Sequence, residues 1–279
     1  MSDIATQTTT PSNSSVVLEV RGLVKEYRKA GSPFKRADTF EAVSNVSLDV
    51  RQGEIVCLLG ESGCGKTTLA RMIMHLTRPT AGTITLNGCE MQGLNERRFR
   101  PLRQYIQMVY QNPFDCLDPS RRVGSLLEEP LKLWHPELSK EERTRRISGM
   151  LQKCGLDESC LVKKPRQFSG GQLQRLSIAR VLLVDPKLLI ADEIVSALDV
   201  PIQNQILDLL VRMKEEHGFS VLFITHDLSV ARKVSDRVIV MHRGEVVGFG
   251  ATDELLENPS DPYIRKLADS VFTFEGCPD

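Results

Sequence analysis

The run Gly60-Glu61-Ser62-Gly63-Cys64-Gly65-Lys66-Thr67 constrains this chain more than any other stretch. It follows Glu54-Ile55-Val56-Cys57-Leu58-Leu59, which reads as a buried strand, and precedes Thr68 to Met74, which has helical character. Strand, glycine loop and helix form the context in which a GxxxxGK[ST] pattern cradles phosphate. The glycines let the backbone fold back so that successive N–H groups point at one anion. The helix that follows presents its positive end to the same place. Lys66 adds a full charge toward β- and γ-phosphates, and the Thr67 hydroxyl can ligate Mg²⁺. Gly60, Glu61, Ser62, Gly63, Cys64, Gly65, Lys66, Thr67 and Thr68 are therefore the expected phosphate-binding set of a nucleoside triphosphate.

The bulk of the chain narrows the setting. Its 279 residues suffice for one large domain or two small ones. Lys plus Arg balance Asp plus Glu at 36 each, so nothing points to a general nucleic-acid surface. The seven cysteines are scattered and never spaced CxxC, which argues against a disulfide framework or a zinc or iron–sulfur site and fits a reducing cytosol. No apolar run approaches the roughly 18 residues of a membrane-spanning helix. Residues 1–15 are rich in Ser, Thr and Asn and read as a disordered tail without signal-peptide character.

Along the chain, Val16 to Val20 predicts a strand, Arg28 to Thr39 a loop, and Glu41 to Val50 an alternating, half-exposed strand. Asn87-Gly88 after Gly82 to Leu86 predicts a hairpin. Tyr105 to Tyr110 is strand-like and runs into Gln111-Asn112-Pro113. Val123 to Pro130 and Ser139 to Cys154 carry helical periodicity, the second opened by a Ser139/Glu142 capping box. Helices are expected over Gly171 to Leu183 and Ile202 to Glu216, and buried strands over Lys187 to Glu193 and Ser220 to Thr225. Arg237 to Met241 and Gly244 to Gly248 close as a hairpin. Alternating helices and apolar strands imply an α/β fold around a mostly parallel sheet with function at its carboxyl edge, decorated by antiparallel strands and a helical subdomain.

Asp192 and Glu193 end one of those buried strands. Asp192 can hold Mg²⁺ directly or through water, and Glu193, expected to point the other way along the strand, can orient or deprotonate an attacking water. Gln111 and His226 also stand at strand ends. An amide oxygen can hold water and Mg²⁺, and an imidazole can donate to a γ-phosphate. Ser169-Gly170-Gly171-Gln172 opens a helix and forms a second anion-binding turn. One domain rarely needs two such cradles, whereas two copies facing each other do.

Phosphate loop, Gln111, Ser169-Gly170-Gly171-Gln172, Asp192-Glu193, Ser196-Ala197-Leu198-Asp199 and His226, in that order, resemble the ATP-binding subunit of an ABC transporter over roughly Leu18 to Leu267. Gln107 to Pro113, Leu117-Asp118-Pro119-Ser120-Arg121 and the tail Asn258-Pro259 with Asp261-Pro262-Tyr263 are similar to the oligopeptide, dipeptide and nickel importer group. The resemblance implies a P-loop NTPase fold and assigns roles. Tyr27 stacks on adenine; Thr67, Gln111 and Asp192 arrange Mg²⁺; Glu193 is the general base, and His226 contacts the γ-phosphate. Ser169, Gly170, Gly171 and Gln172 act on ATP held by a second ATPase subunit, identical or not, and Asp199 lies at the dimer seam.

The implied partners are two membrane permeases and, indirectly, an extracytoplasmic substrate-binding protein, with the chain peripheral on the cytoplasmic side of the cell membrane. The implied division is an ATP-binding domain over 16–250, with its helical subdomain at about 112–185, and an extension over 251–279. Phe168 stands where Leu is usual, Ile194-Val195 where Pro-Thr is usual, and Asp261 where His is usual. Only the second bears on activity, through the angle of Glu193. The single Cys277 near the end implies no iron–sulfur centre. A soluble assembly of the phosphonate-degrading kind and a catalytically weak structural partner are the competing readings. DNA-repair or chromosome-organising ATPases are disfavoured because no sustained heptads separate the loop from Ser169.

Overall fold

A computed structural model describes residues 15–28, 39–257 and 259–272. The expected tail, most of the 28–39 loop, Asn258 and Cys277 lie outside the described residues. Strands β1 (Val16–Arg28) and β2 (Thr39–Arg51) lead to the short buried β3 (Ile55–Leu59) and helix α1 (Lys66–Ile73). Next come β4 (Ala81–Leu86), β5 (Cys89–Glu90), the one-turn α2 (Glu96–Phe99) and β6 (Ile106–Val109). Three helices follow, α3 (Val123–Trp134), α4 (Lys140–Lys153) and α5 (Gly170–Leu182). The chain then alternates β7 (Leu188–Asp192), α6 (Val200–His217), β8 (Ser220–Thr225), α7 (Leu228–Val234) and β9 (Arg237–His242). It closes with β10 (Glu245–Ala251), α8 (Thr252–Glu257) and α9 (Pro262–Phe272).

The strands form two sheets. An antiparallel one has the order β2-β1-β4-β5, and the central one has the order β10-β9-β3-β8-β7-β6, parallel except for the β10 edge. Strict alternation along the central strands feeds two cores. Val56, Leu58, Ile190, Leu222, Ile224 and Ile239 point toward the antiparallel sheet and α1. Ile55, Cys57, Leu59, Leu189, Val221 and Phe223 point toward the helices. A strand buried on both faces must be apolar at every position, which is why these segments read as continuous hydrophobic runs. Burial stabilises each such Val, Leu or Ile by about 1.5–3 kcal/mol. It also lifts the Cys154 thiol to about 12 and leaves that thiol protonated.

Local chemistry sets the connections. Asn87 (φ 47°) and Gly88 (φ 76°) both take the left-handed turn that a two-residue hairpin needs. The Ser139/Glu142 capping box is present in both directions, Ser139 Oγ accepting from Glu142 N (3.2 Å) and Glu142 Oε2 from Ser139 N (2.7 Å). Two elements differ from their sequence expectation. β1 does not stop near Val20 but continues to Arg28 through register shifts around Gly22, whose φ of 55° absorbs the irregularity. α3 runs past Pro130 to Trp134. Proline lacks the N–H that would reach Leu126 O, and Arg180 Nε donates to that carbonyl instead (3.2 Å).

Candidate nucleotide site

The parallel register brings the carboxyl ends of four strands level. Leu59 pairs with Thr225, Ile224 with Asp192, and Ala191 with Val109. The residues just beyond those ends, distant in sequence, therefore meet on one edge: the Gly60–Thr67 loop, His226, Glu193 and Gln111.

The loop's shape is a matter of glycine conformations. Gly65 has φ 112°, and a Cβ there would lie 2.3 Å from Ala42 O. Gly60 has φ 158°, and a Cβ there would lie 2.3 Å from Met241 O. The β9–β10 turn braces the loop from below, with Gly244 N donating to Cys64 O at 2.9 Å. Lys66 is buried, and its ammonium donates to Gly60 O (2.6 Å) and Glu61 O (2.9 Å). No side chain caps α1, so its first amides carry the helix's positive end into the loop.

A cleft of about 410 Å³ opens over this loop, lined by Ser62, Gly63, Gly65, Lys66, Thr67, Thr68, Gln111 and Glu193, with Tyr27, Phe40 and Ala42 as its other wall. Tyr27 faces Phe40 across the β1–β2 ladder, and both rings are exposed. Phe40 was missed in sequence because it sits at the margin of a presumed loop. Its pairing with an aromatic across a hairpin was the available signal.

Glu193 is not the last residue of its strand. β7 ends at Asp192, and Glu193 turns off it at φ 48°, a left-handed conformation that costs a bulky residue roughly 1–2 kcal/mol. The expectation that Glu193 alternates along the strand is thereby corrected. Its N–H donates to Ile224 O (2.9 Å), and Ile194 and Val195 behind it are buried in the helical-side core. The turn aims the Glu193 carboxylate at His226, with Oε1 3.4 Å from Nδ1. Gln111 Nε2 donates to Ser196 Oγ (3.1 Å), which donates to Glu193 O (3.0 Å). Ser196 thus ties Gln111 to the Glu193 turn, a role that no sequence pattern announced. Burial, and next the neighbouring Glu193 charge, push the Asp192 carboxyl above the usual range, with Lys66 opposing.

Ser169, Gly170, Gly171 and Gln172 do not line the cleft of their own chain. Ser169 caps α5, accepting from Gln172 N (3.4 Å) while Gln172 Oε1 accepts from Ser169 N (3.1 Å). Gly171 allows α6 to approach so closely that a Cβ there would lie 2.5 Å from Ile202 Cγ2. Asp199 is exposed at the N-cap of α6.

A family model described as ABC transporter matches residues 43–196, from β2 through Ser196. The chain belongs to the ABC transporter family. Within that family it is an ATP-binding, ATP-hydrolysing domain with the fold of the ABC cassettes. It is 44% identical over 233 residues to the oligopeptide transport ATP-binding protein OppF of Escherichia coli, covering 84% of this chain and 70% of that one. Identity is 40% over 251 residues to the di/tripeptide transport ATP-binding protein DppF of Pseudomonas aeruginosa, covering 90% and 77%. Among solved structures it is similar to the dimeric post-hydrolysis state of the ATP-binding cassette MJ0796 bound to ADP and Pi. The TM-score is 0.75 at 32% identity, covering 84% of this chain and 98% of that one.

Proposed function

We propose that this ABC ATPase energises a peptide importer, working in pairs on the cytoplasmic face of the membrane. The observation that carries the catalytic part is the Glu193–His226 contact, Glu193 lining the same cleft as Lys66, Thr67 and Gln111. The peptide assignment is supported by relatives named for oligopeptide and di/tripeptide transport. No helix among the described residues is long and apolar enough to cross a membrane, so permease subunits would supply the path.

In this reading Tyr27, with Phe40 beside it, takes the adenine, and the amides of Gly60 to Thr68 with Lys66 take the phosphates. Glu193 accepts a proton from water as the water oxygen attacks the γ-phosphorus. The bond to the ADP oxygen breaks, and His226 steadies the γ-phosphate while orienting Glu193. The hydroxyl of Thr67, the amide of Gln111 and the carboxylate of Asp192 are hard oxygen donors suited to Mg²⁺. When bound, Mg²⁺ would neutralise charge on the β- and γ-phosphate oxygens.

Ser169, Gly170, Gly171 and Gln172 lie off their own chain's cleft and complete the site of the paired subunit, with Asp199 at the seam. We assign 16–250 to the ATP-binding domain, about 112–185 to its helical subdomain and 251–279 to an extension. Replacement Glu193→Gln tests the general base. ATP hydrolysis, followed as phosphate release in the assembled transporter, should fall by about 10²–10⁴-fold with ATP binding and ATP-driven pairing retained. Hydrolysis at the wild-type rate would remove Glu193 from that role, and copurification with soluble enzymes in place of permeases would overturn the transport assignment.

A further inference from the structure

The phosphate loop is held at its outer side by the far end of the chain. Glu61 N–H donates to Tyr263 Oη at 3.2 Å, across 202 residues of sequence. The tyrosine is placed from two directions. Asp261 Oδ1 accepts from Tyr263 N (2.7 Å) and Ile264 N (3.4 Å) and so fixes the first turn of α9. Ile264, 1% exposed, seats that helix over Gly248, where a Cβ would lie 2.4 Å from Ile264 Cδ1. The ring packs on His242 at the end of β9, with centroids 4.0 Å apart and planes tilted by 38°. Partial burial pushes the phenol pKa up, so the hydroxyl keeps its proton.

The same residue is gripped from the cleft side. Glu61 O and Gly60 O both accept from the Lys66 ammonium. The ammonium has three donors, so a bound phosphate would share it with those two carbonyls and the inner tie would depend on what the cleft holds. The outer tie to Tyr263 does not involve Lys66.

We propose that Tyr263 is a positioning residue for the phosphate loop, its hydroxyl holding the Glu61 peptide in place independently of how Lys66 is shared between the loop carbonyls and the nucleotide. On this view the C-terminal helix sets nucleotide affinity without touching nucleotide. The inference rests on the reading of Gly60 to Thr67 as the ATP site.

Tyr263→Phe in the full chain removes the hydroxyl and keeps the ring on His242. ATP affinity by calorimetry should weaken about three- to tenfold, because nucleotide must then order the loop entrance that the hydroxyl no longer holds. Amide exchange in the 60–66 segment of the nucleotide-free protein should quicken by a similar factor, with the melting temperature little changed. Wild-type affinity together with wild-type exchange would overturn the proposal. So would a lowered melting temperature with unchanged affinity, which is the mark of a purely structural contact. A wild-type chain that binds no ATP would instead overturn the reading of the loop, and the proposal with it.

Discussion

Two helix starts in this molecule are built from glycine, and they use it for different reasons. At α1 the glycines supply backbone shapes: Gly63 (φ 82°) and Gly65 (φ 112°) occupy conformations that L side chains rarely adopt. No side chain caps that helix, so its amides remain available to an anion. At α5, Gly170 and Gly171 have ordinary helical backbones within the helix, and Ser169 and Gln172 cap each other's amides in a reciprocal box. There glycine supplies absence of bulk, letting Ile202 of α6 come close. One cradle is open to the chain's own cleft. The other does not line that cleft, and its capping bonds take the Ser169 and Gln172 amides only.

The contrast can be broken most severely at Gly65. Gly65→Ala combines an unfavourable φ with a 2.3 Å approach to Ala42 O, a backbone atom that cannot rotate away. Calorimetry should show ATP affinity lost by about 100-fold or more, and denaturant unfolding a loss of about 2–4 kcal/mol.

Gly171→Ala should do less and something different. Its clash is with the methyl of a β-branched side chain, costing about 1–3 kcal/mol of overpacking as α5 and the Asp199 end of α6 are pushed apart. ATP affinity of the isolated chain should stay within twofold, while ATP-driven pairing, followed by light scattering, weakens by about tenfold or more. Equal loss of both would erase the distinction between the two cradles.

The smallest effect lies where α4 meets the end of α6. His217 Nε2 lies 3.0 Å from Lys153 Nζ and Nδ1 lies 3.9 Å from Asp185 Oδ1, with Glu216 and Arg146 nearby. Burial first, and then Lys153, hold its pKa below the ordinary value, while Asp185 and Glu216 oppose. The folded state therefore binds fewer protons at this position than the unfolded chain. The contribution to stability is present above the ordinary histidine value of about 6.5 and fades as pH falls toward the lower folded value. The melting temperature of His217→Gln should drop less between pH 7.5 and 5.5 than that of the wild type, by about 1–2 °C. An equal drop in both would remove His217 from the pH response.

Much of this was legible because the phosphate loop, the parallel strands and the capping box are local. Each is decided by residues within a few positions of one another, through glycine conformations, two-faced burial or reciprocal side-chain bonds. The families of Gln111, Asp192, Glu193 and His226 were likewise readable as strand-end residues. What failed were features whose cause lies elsewhere in the chain. α3 crosses Pro130 because Arg180, on another helix, takes the freed carbonyl. Glu193 leaves its strand because Ile224 O on β8 and the buried Ile194 and Val195 fix its turn.

The sequence by itself determined that this chain cradles a triphosphate and carries a second, separate glycine turn, since both follow from bonding within short segments. Only the tertiary structure decided that Glu193 faces His226, that Ser196 ties in Gln111, and that Tyr263 steadies Glu61. Those contacts join residues whose spacing along the chain carries no energy of its own. They exist because sheet register and helix packing bring distant backbone to within hydrogen-bond reach.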